Sequence, residues 1–369
     1  MSTPSLTRLV GATVAAFAVV AVTGAAFAQP ASADDGGHDS SVSHVYEATN
    51  SAIGNSVQVF DSAPDGSLTV GELVSTGGLG AGSSLSSQGG IVRDGRHLIV
   101  VNGGDNSVSS LEITRNGLTL RDVESSGGIH PVSATVNDGV VYVLNSGSDT
   151  ISGFRLDDDG NLNPIAHSTR PLSGAGTGAA EVKFTRDGDA LVVTEKATNK
   201  IDTFRVDESG LTGAVTVTAS AGVVPYGFDI DRRDHVVVSE AATGSASSYQ
   251  LEHGTLTVVT SALADTQAAP CWLVISTDGR FAYTTNAASG TISSYRIARN
   301  GSLTLLAAVA ATTGAGPTDV AVSSDGGFLY ARVGSGAVAA FAISNDGTLT
   351  SLGTTIGAHS IGSSGLAAS

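Results

Sequence analysis

Cysteine, methionine and tryptophan each occur once in the 369 residues, and lysine occurs only three times, as Lys183, Lys196 and Lys200. The lone Cys271 excludes an internal disulfide framework, so any stability outside the cell must come from buried apolar surface. Three lysines in a chain of net charge -16 exclude the broad basic patch on which phosphate-backbone binding depends, and with it a nucleic-acid partner. P-loop, G-x-S-x-G, H-E-x-x-H and zinc-ligand patterns are all missing, which removes the usual nucleotide, α/β-hydrolase and metalloprotease readings. Charged residues make up only 14% of the chain, and Ala, Gly, Ser, Thr and Val dominate. Small residues of this kind suit stacked sheets with short turns.

The one long apolar run is at the start. Arg8 is the only charge before Asp34; Leu9 to Ala28 is apolar, and the small-x-small sites Ala26-Phe27-Ala28 and Ala31-Ser32-Ala33 follow. This order predicts a secretory signal peptide over residues 1–33, cleaved after Ala28 or Ala33. Residues 34–41 read as a disordered leader. The mature chain keeps all 34 acidic residues and loses Arg8, so its charge moves from -16 to -17. Secretion, no membrane span in the mature chain and a monomeric state are expected, with a small molecule or an extracellular protein as partner.

What the chain has in abundance is repetition. Gly66, Gly117, Gly160, Gly210, Gly254, Gly301 and Gly347 are each followed within two residues by Leu, usually then Thr, at gaps of 51, 43, 50, 44, 47 and 46 residues. Between them lie alternating runs such as His97–Val101, Val140–Leu144, Ala190–Thr194 and Phe281–Thr285, each preceded by an Asp-Gly turn. A period in the mid-forties built from strands predicts an all-β, seven-bladed β-propeller with four-stranded blades over residues 42–369. Phe60, Leu111, Phe154, Phe204, Tyr249, Tyr295 and Phe341 recur near the ends of third strands and are expected to pack between blades. The first repeat lacks an innermost strand, and the last overshoots with Gly362–Ala368. The C-terminus is therefore expected to complete blade one and close the ring.

The register also singles out a set of polar strand ends. Nine residues before each marker stand Asn102, Asn145, Glu195, Glu240, Asn286 and Arg332, with Asn50 in blade one after one inserted residue. They are expected to converge on one face, around the tunnel mouth. Asn at a strand end is often a turn residue, whereas Glu195 and Glu240 carry charge that must be paired, solvated or used. Glu195, Glu240 and His130 are the candidate acid–base groups. Asn102, Asn145, Lys196, Tyr226, Trp272, Asn286 and Arg332 are the candidate ligand contacts, with Arg332 or Lys196 placed to steady an oxyanion and Trp272 as an aromatic platform. Cys271 has no base in reach of the sequence pattern and is expected to be buried and inert. The run Asp157-Asp158-Asp159-Gly160-Asn161 lacks EF-hand spacing and reads as a turn. Glu and Asn oxygens are donors that calcium accepts, but Arg332 and Lys196 oppose a cation, so no metal and no cofactor is assigned.

The segments Ser276–Asn286 and Gly290–Tyr295 resemble the seven-bladed lactonase family, which includes 6-phosphogluconolactonase-type propellers and fungal carboxymuconate cyclases. Shorter-period bacterial and archaeal surface propellers are similar to a lesser degree. The resemblance implies the propeller over the whole chain after the leader, and a lactonase-type hydrolase. Catalytic members of the family carry a His-rich stretch leading into the fourth blade and an Asp-Leu-Gly strand end. The matching segments here are Ala179–Val182 and Thr194–Asn199, so no catalytic residue is carried over by motif. Hydrolysis of a non-phosphorylated lactone and a non-catalytic extracellular binding or cell-envelope module both remain open readings.

Overall fold

Every repeat of the sequence forms one antiparallel sheet. The computed structural model describes residues 43–314, 316–334, 336–357, 362 and 364–369. The expected signal peptide and leader lie outside the described residues. Seven sheets follow one another, six of them four-stranded in simple up-and-down order and the third with its outer strand split in two, and no helix occurs among the described residues. Blade two, for example, runs Ile91–Asp94, His97–Asn102, Ser107–Thr114 and Gly117–Ser125 from the axis outward.

Burial explains the alternation. The second strand of each blade is buried along nearly its whole length, as in Val140–Asn145 and Phe281–Asn286, because a blade is covered on both faces by its neighbours. Outer strands such as Leu68–Ser75 face solvent along most of their length. The seven markers from Phe60 to Phe341 are at most 1% exposed and fill the inter-blade layers as expected.

The recurrent glycine has two causes. All seven turn glycines take positive φ, from 79° to 106°, where a side chain is strained. From blade three to blade seven their carbonyls also accept hydrogen bonds from the preceding blade, as when Ser248 Oγ donates to Gly301 O at 2.7 Å, Thr203 Oγ1 to Gly254 O at 2.5 Å and Tyr142 Oη to Gly210 O at 2.8 Å. A Cβ at Gly301 would lie 2.4 Å from His235. The turn is thus a blade-to-blade fastener, and the Asp157–Asn161 run is one such turn, with Asp157 Oδ1 accepting from Asn161 N at 2.8 Å.

The innermost strands leave one edge free toward the axis, and its donors are satisfied by side chains. Ser133 Oγ accepts from Val182 N at 3.2 Å, Glu181 Oε2 from Phe228 N at 2.7 Å and Asp229 Oδ2 from Ile275 N at 2.8 Å. Each acceptor stands on the blade before its donor. In blade seven, Asp319 Oδ1 accepts from Val320 N at 2.8 Å, and the backbone amides of Gly365 and Leu366 also hydrogen-bond its carboxyl.

The ring closes as the sequence predicts. Leu366–Ala368 pairs antiparallel with Ser43–Ala48 in the register Val45↔Ala368, Tyr46↔Ala367, Glu47↔Leu366, supplying the innermost strand of blade one. Removing Gly365–Ser369 opens the edge of Ser43–Ala48 and takes away the buried contacts of Leu366 and Ala367, both under 10% exposed. The truncated chain should lose several kcal/mol, a large share of a ~5–15 kcal/mol stability, and its thermal midpoint should drop sharply. A truncated protein that melts like the full chain contradicts closure by this strand.

Candidate functional site

Five of the six predicted strand ends share one register. Asn145, Glu240 and Asn286 lie opposite Pro131, Pro225 and Pro270, the first residues of the neighbouring inner strands. Across the following turn, Asn102, Asn145, Glu195, Glu240 and Asn286 pair with Ser107, Thr150, Lys200, Ser245 and Thr291. Arg332 does not belong to this set. In blade seven the strand runs on to Val333, which faces Pro317 on one side and Ala337 on the other. The turn there is one residue shorter, so a count back from Phe341 lands one position early, and the pleat turns Arg332 to the opposite face. Arg332 is buried, donating from Nε to Glu47 Oε1 at 2.9 Å and from a terminal nitrogen to Thr318 Oγ1. It joins blade seven to blade one and is not available to a ligand.

The five strand ends are also not an accessible rim, because each is 0% exposed. Asn102, Asn145, Glu195 and Glu240 hold the segment that crosses from the previous blade, while Asn286 bonds within its own blade. Asn102 Oδ1 accepts from Thr76 Oγ1 and from Asn55 Nδ2, both at 2.9 Å, Asn145 Nδ2 donates to Ser126 O at 3.1 Å, and Glu240 Oε1 accepts from Ser220 Oγ at 2.8 Å. Asn286 Nδ2 donates to Thr291 Oγ1 and Ser293 Oγ at 3.0 and 2.9 Å. A Cβ on Gly78, Gly128 or Gly222 would come within 2.5 Å of Asn102, Asn145 or Glu240. Burial pushes the Glu240 carboxyl above the usual range, against the nearby Ser220, Ser247 and Tyr249 hydroxyls and the Gly222 amide, which lower it.

Glu195 has different company. Its Oε2 accepts from Ser173 Oγ at 2.7 Å and from Thr198 Oγ1, and its Oε1 accepts from Ser173 N at 3.1 Å. Behind it stands Asp202, also 0% exposed, whose Oδ2 accepts from Ser173 N at 2.8 Å. Burial, then the hydrogen bond and charge of Glu195, push the Asp202 carboxyl up to about 8. The Asp202 carboxyl therefore keeps its proton through neutral pH. Lys200 Nζ donates to Ser173 Oγ at 3.1 Å, and Ser173 itself is partly exposed at the surface, beside Gly174, which has open space around it. A hydroxyl between a buried carboxylate and an ammonium is the arrangement of an activated nucleophile with its base. Ser173, Lys200 and Asp202 have no motif in the sequence; the fold alone gathers them.

The predicted aromatic and amine contacts form a second cluster. Lys196 Nζ lies 4.7 Å from the Tyr226 ring centre and donates to Ser86 O. Tyr226 and Trp272 meet edge to face at 5.2 Å. Burial brings the Lys196 amine down to about 8 and pushes the Cys271 thiol up to about 12, keeping that thiol protonated. Trp272 is only 5% exposed and donates from Nε1 to Ser87 O at 2.7 Å, so it packs as a wall and offers no open platform. Ser87 Oγ also donates to Val132 O in blade three, Gln88 N to Ala180 O in blade four, and the Gln88 amide pairs with both backbone groups of Leu273 in blade six. A segment that reaches three separated inner strands crosses the axis, so the mouth is stopped by the chain itself. His130, at φ 55°, is partly exposed with Nδ1 3.1 Å from Gly103 O, and it stands apart from both clusters.

The profile of the family described as Lactonase, 7-bladed beta-propeller matches the chain over residues 51–175, 137–264 and 240–364. No curated protein matches it in sequence. Among solved structures, a provisionally assigned 6-phosphogluconolactonase from Bacteroides fragilis is similar at 18% identity and a TM-score of 0.73, covering 91% of this chain and 100% of its own. A protein from Lactobacillus plantarum is similar at 15% identity and 0.75, covering 89% and 99%. The periplasmic gluconolactonase of Pseudomonas aeruginosa is similar at 18% and 0.71, with 89% and 99% covered. At these identities the likeness to the three structures is one of fold.

The raised Asp202 carboxyl predicts a pH dependence with a definite sign. Unfolded Asp202 ionises near pH ~4, whereas folded Asp202 keeps its proton to about 8. Between those values the native state binds more protons, so stability falls as pH rises. Asp202→Asn removes this linkage. Urea midpoints at pH 5 and pH 8 should differ less in the variant than in the parent protein; equal differences contradict a protonated Asp202.

Proposed function

Starting from the fact that the chain belongs to the seven-bladed lactonase β-propeller family, we propose that it is an exported hydrolase of small, non-phosphorylated lactones, acting at Ser173. The observation that carries this reading is the 2.7 Å hydrogen bond from Ser173 Oγ to Glu195 Oε2, backed by Asp202. Ser173 Oγ attacks the lactone carbonyl and passes its proton to Glu195. Lys200, 3.1 Å from that oxygen, faces the negative charge that develops on the carbonyl oxygen. Breaking the ring C–O bond returns the proton to the leaving alkoxide, and water then releases the hydroxy acid from Ser173 by the same route. Asp202, holding its proton, spares the site a second negative charge.

Two features favour a neutral substrate. Lys200 is the sole cation hydrogen-bonded to Ser173, while Glu195, Asp202 and Asp149 surround the same loop, Asp149 accepting from Gly176 N at 2.7 Å and Thr177 N at 3.0 Å. A phosphorylated sugar lactone would meet net negative charge. Export is supported by the apolar leader of residues 1–33 and accords with the periplasmic setting of the Pseudomonas gluconolactonase.

A second reading, a non-catalytic binding module, is favoured by one observation: Asn102, Asn145 and Glu240 serve as buried clips, and Ser87 and Gln88 close the mouth. Proton release from a panel of aldono- and aliphatic lactones separates the two. Hydrolysis should fall by about 100-fold or more in Ser173→Ala and in Glu195→Gln, with melting of Ser173→Ala unchanged. Wild-type protein inert on every lactone would favour the binding module.

A further inference from the structure

The inner strands end, away from Ser173, in the turns of blades four, five and six. These turns border an open surface hollow of about 260 Å³, lined by Arg186, Asp229, Asp231, Arg232, Ser276 and Thr277, with both arginines exposed. In a chain with 34 acidic and 18 basic residues, two arginines on one small hollow are unusual.

The two carboxylates there are already committed. Asp229 Oδ1 pairs with Lys183 Nζ at 2.6 Å and accepts from Ile230 N at 2.9 Å, while its Oδ2 accepts from Ile275 N. Asp231 Oδ1 accepts from Arg233 N at 2.7 Å and His235 N at 3.0 Å, and its Oδ2 meets His235 Nδ1 at 2.8 Å. The guanidinium groups of Arg186 and Arg232 have no ion pair and no hydrogen bond among the described residues, and the Thr277 hydroxyl has none either. Asp187, Asp189 and Asp234 gather nearby, where mutual repulsion adds to burial in raising Asp234, but they do not line the hollow. Free donors of positive charge therefore face a space whose acids already have their own hydrogen-bond partners.

We propose that this hollow binds a small hydroxycarboxylate. The carboxylate lies between Arg186 and Arg232, whose planar, permanently charged forks match its geometry. Hydroxyl groups meet Thr277, and the carbon chain lies on Ile230 and Ile275, which complete the wall. The volume is below the ~300–1,000 Å³ of sites for drug-sized ligands, which limits the occupant to a few carbons. Binding here is independent of hydrolysis at Ser173.

Calorimetry with gluconate, the neutral polyol glucitol and inorganic phosphate, on the full mature chain at low ionic strength, tests the assignment. Gluconate should bind, more weakly as salt screens the pair, and glucitol should give no heat. Arg186→Gln/Arg232→Gln, two exposed changes that spare the core, should weaken gluconate by about tenfold or more, while Ser173→Ala leaves it unchanged. Absence of gluconate heat in wild type, equal affinity in the double variant, or phosphate binding as tightly as gluconate each overturns the proposal.

Discussion

Seven sheets packed face to face around an axis leave seven free inner edges, and their backbone donors must find acceptors where water is scarce. Most of this architecture follows from that need. Ser133, Glu181, Asp229 and Asp319 are polar residues on strands that are otherwise apolar, and each accepts from a backbone amide at such an edge. The last of them receives the C-terminal strand, so edge capping and ring closure are one device. Burial at the axis favours the uncharged form of two of these carboxyls, raising Asp319 to about 7 and Glu181 well above the ordinary range.

A second layer of fastening lies farther out. Turn glycines lend their carbonyls to the blade before, and strand-end Asn and Glu side chains hold the crossings between blades. Glu195 occupies one of these clip positions and, like Glu240 with Ser220, grips a partly exposed serine, but here Asp202 and Lys200 stand alongside. What sets this position apart is the company of the clip, not the residue it holds. Fold and site are therefore not separable at Glu195: the carboxylate that could act as a base also anchors a loop.

The architecture was legible in the sequence because its causes are local and repeated. Positive φ at the turns demands glycine, and the inter-blade layers demand a large apolar residue such as Phe204 or Tyr295 at a fixed spacing. The missing first strand and the overshooting tail were likewise visible. Depth was not. Nothing in the letters tells that Asn102 or Glu240 is wrapped by the preceding crossing, or that Ser87 and Gln88 cover the mouth. Arg332 was misplaced because a turn shortened by one residue leaves no mark in a count between markers. Ser173 and Asp202, 29 residues apart, meet only through the path of one blade. Glu181, Asp229 and Asp319 did leave a signal, a charged residue inside an apolar inner strand.

Behind Ser173 the Asp202 carboxyl, buried beside Glu195, holds a proton through neutral pH. Carboxyl carbon NMR of the mature protein, with Asp labelled and the signal assigned through Asp202→Asn, reads that proton directly. Asp202 should remain protonated until about pH 8, and Glu195→Gln should lower that value. If Asp202 ionises below pH ~5, as an ordinary carboxylate does, the site at Ser173 loses its basis.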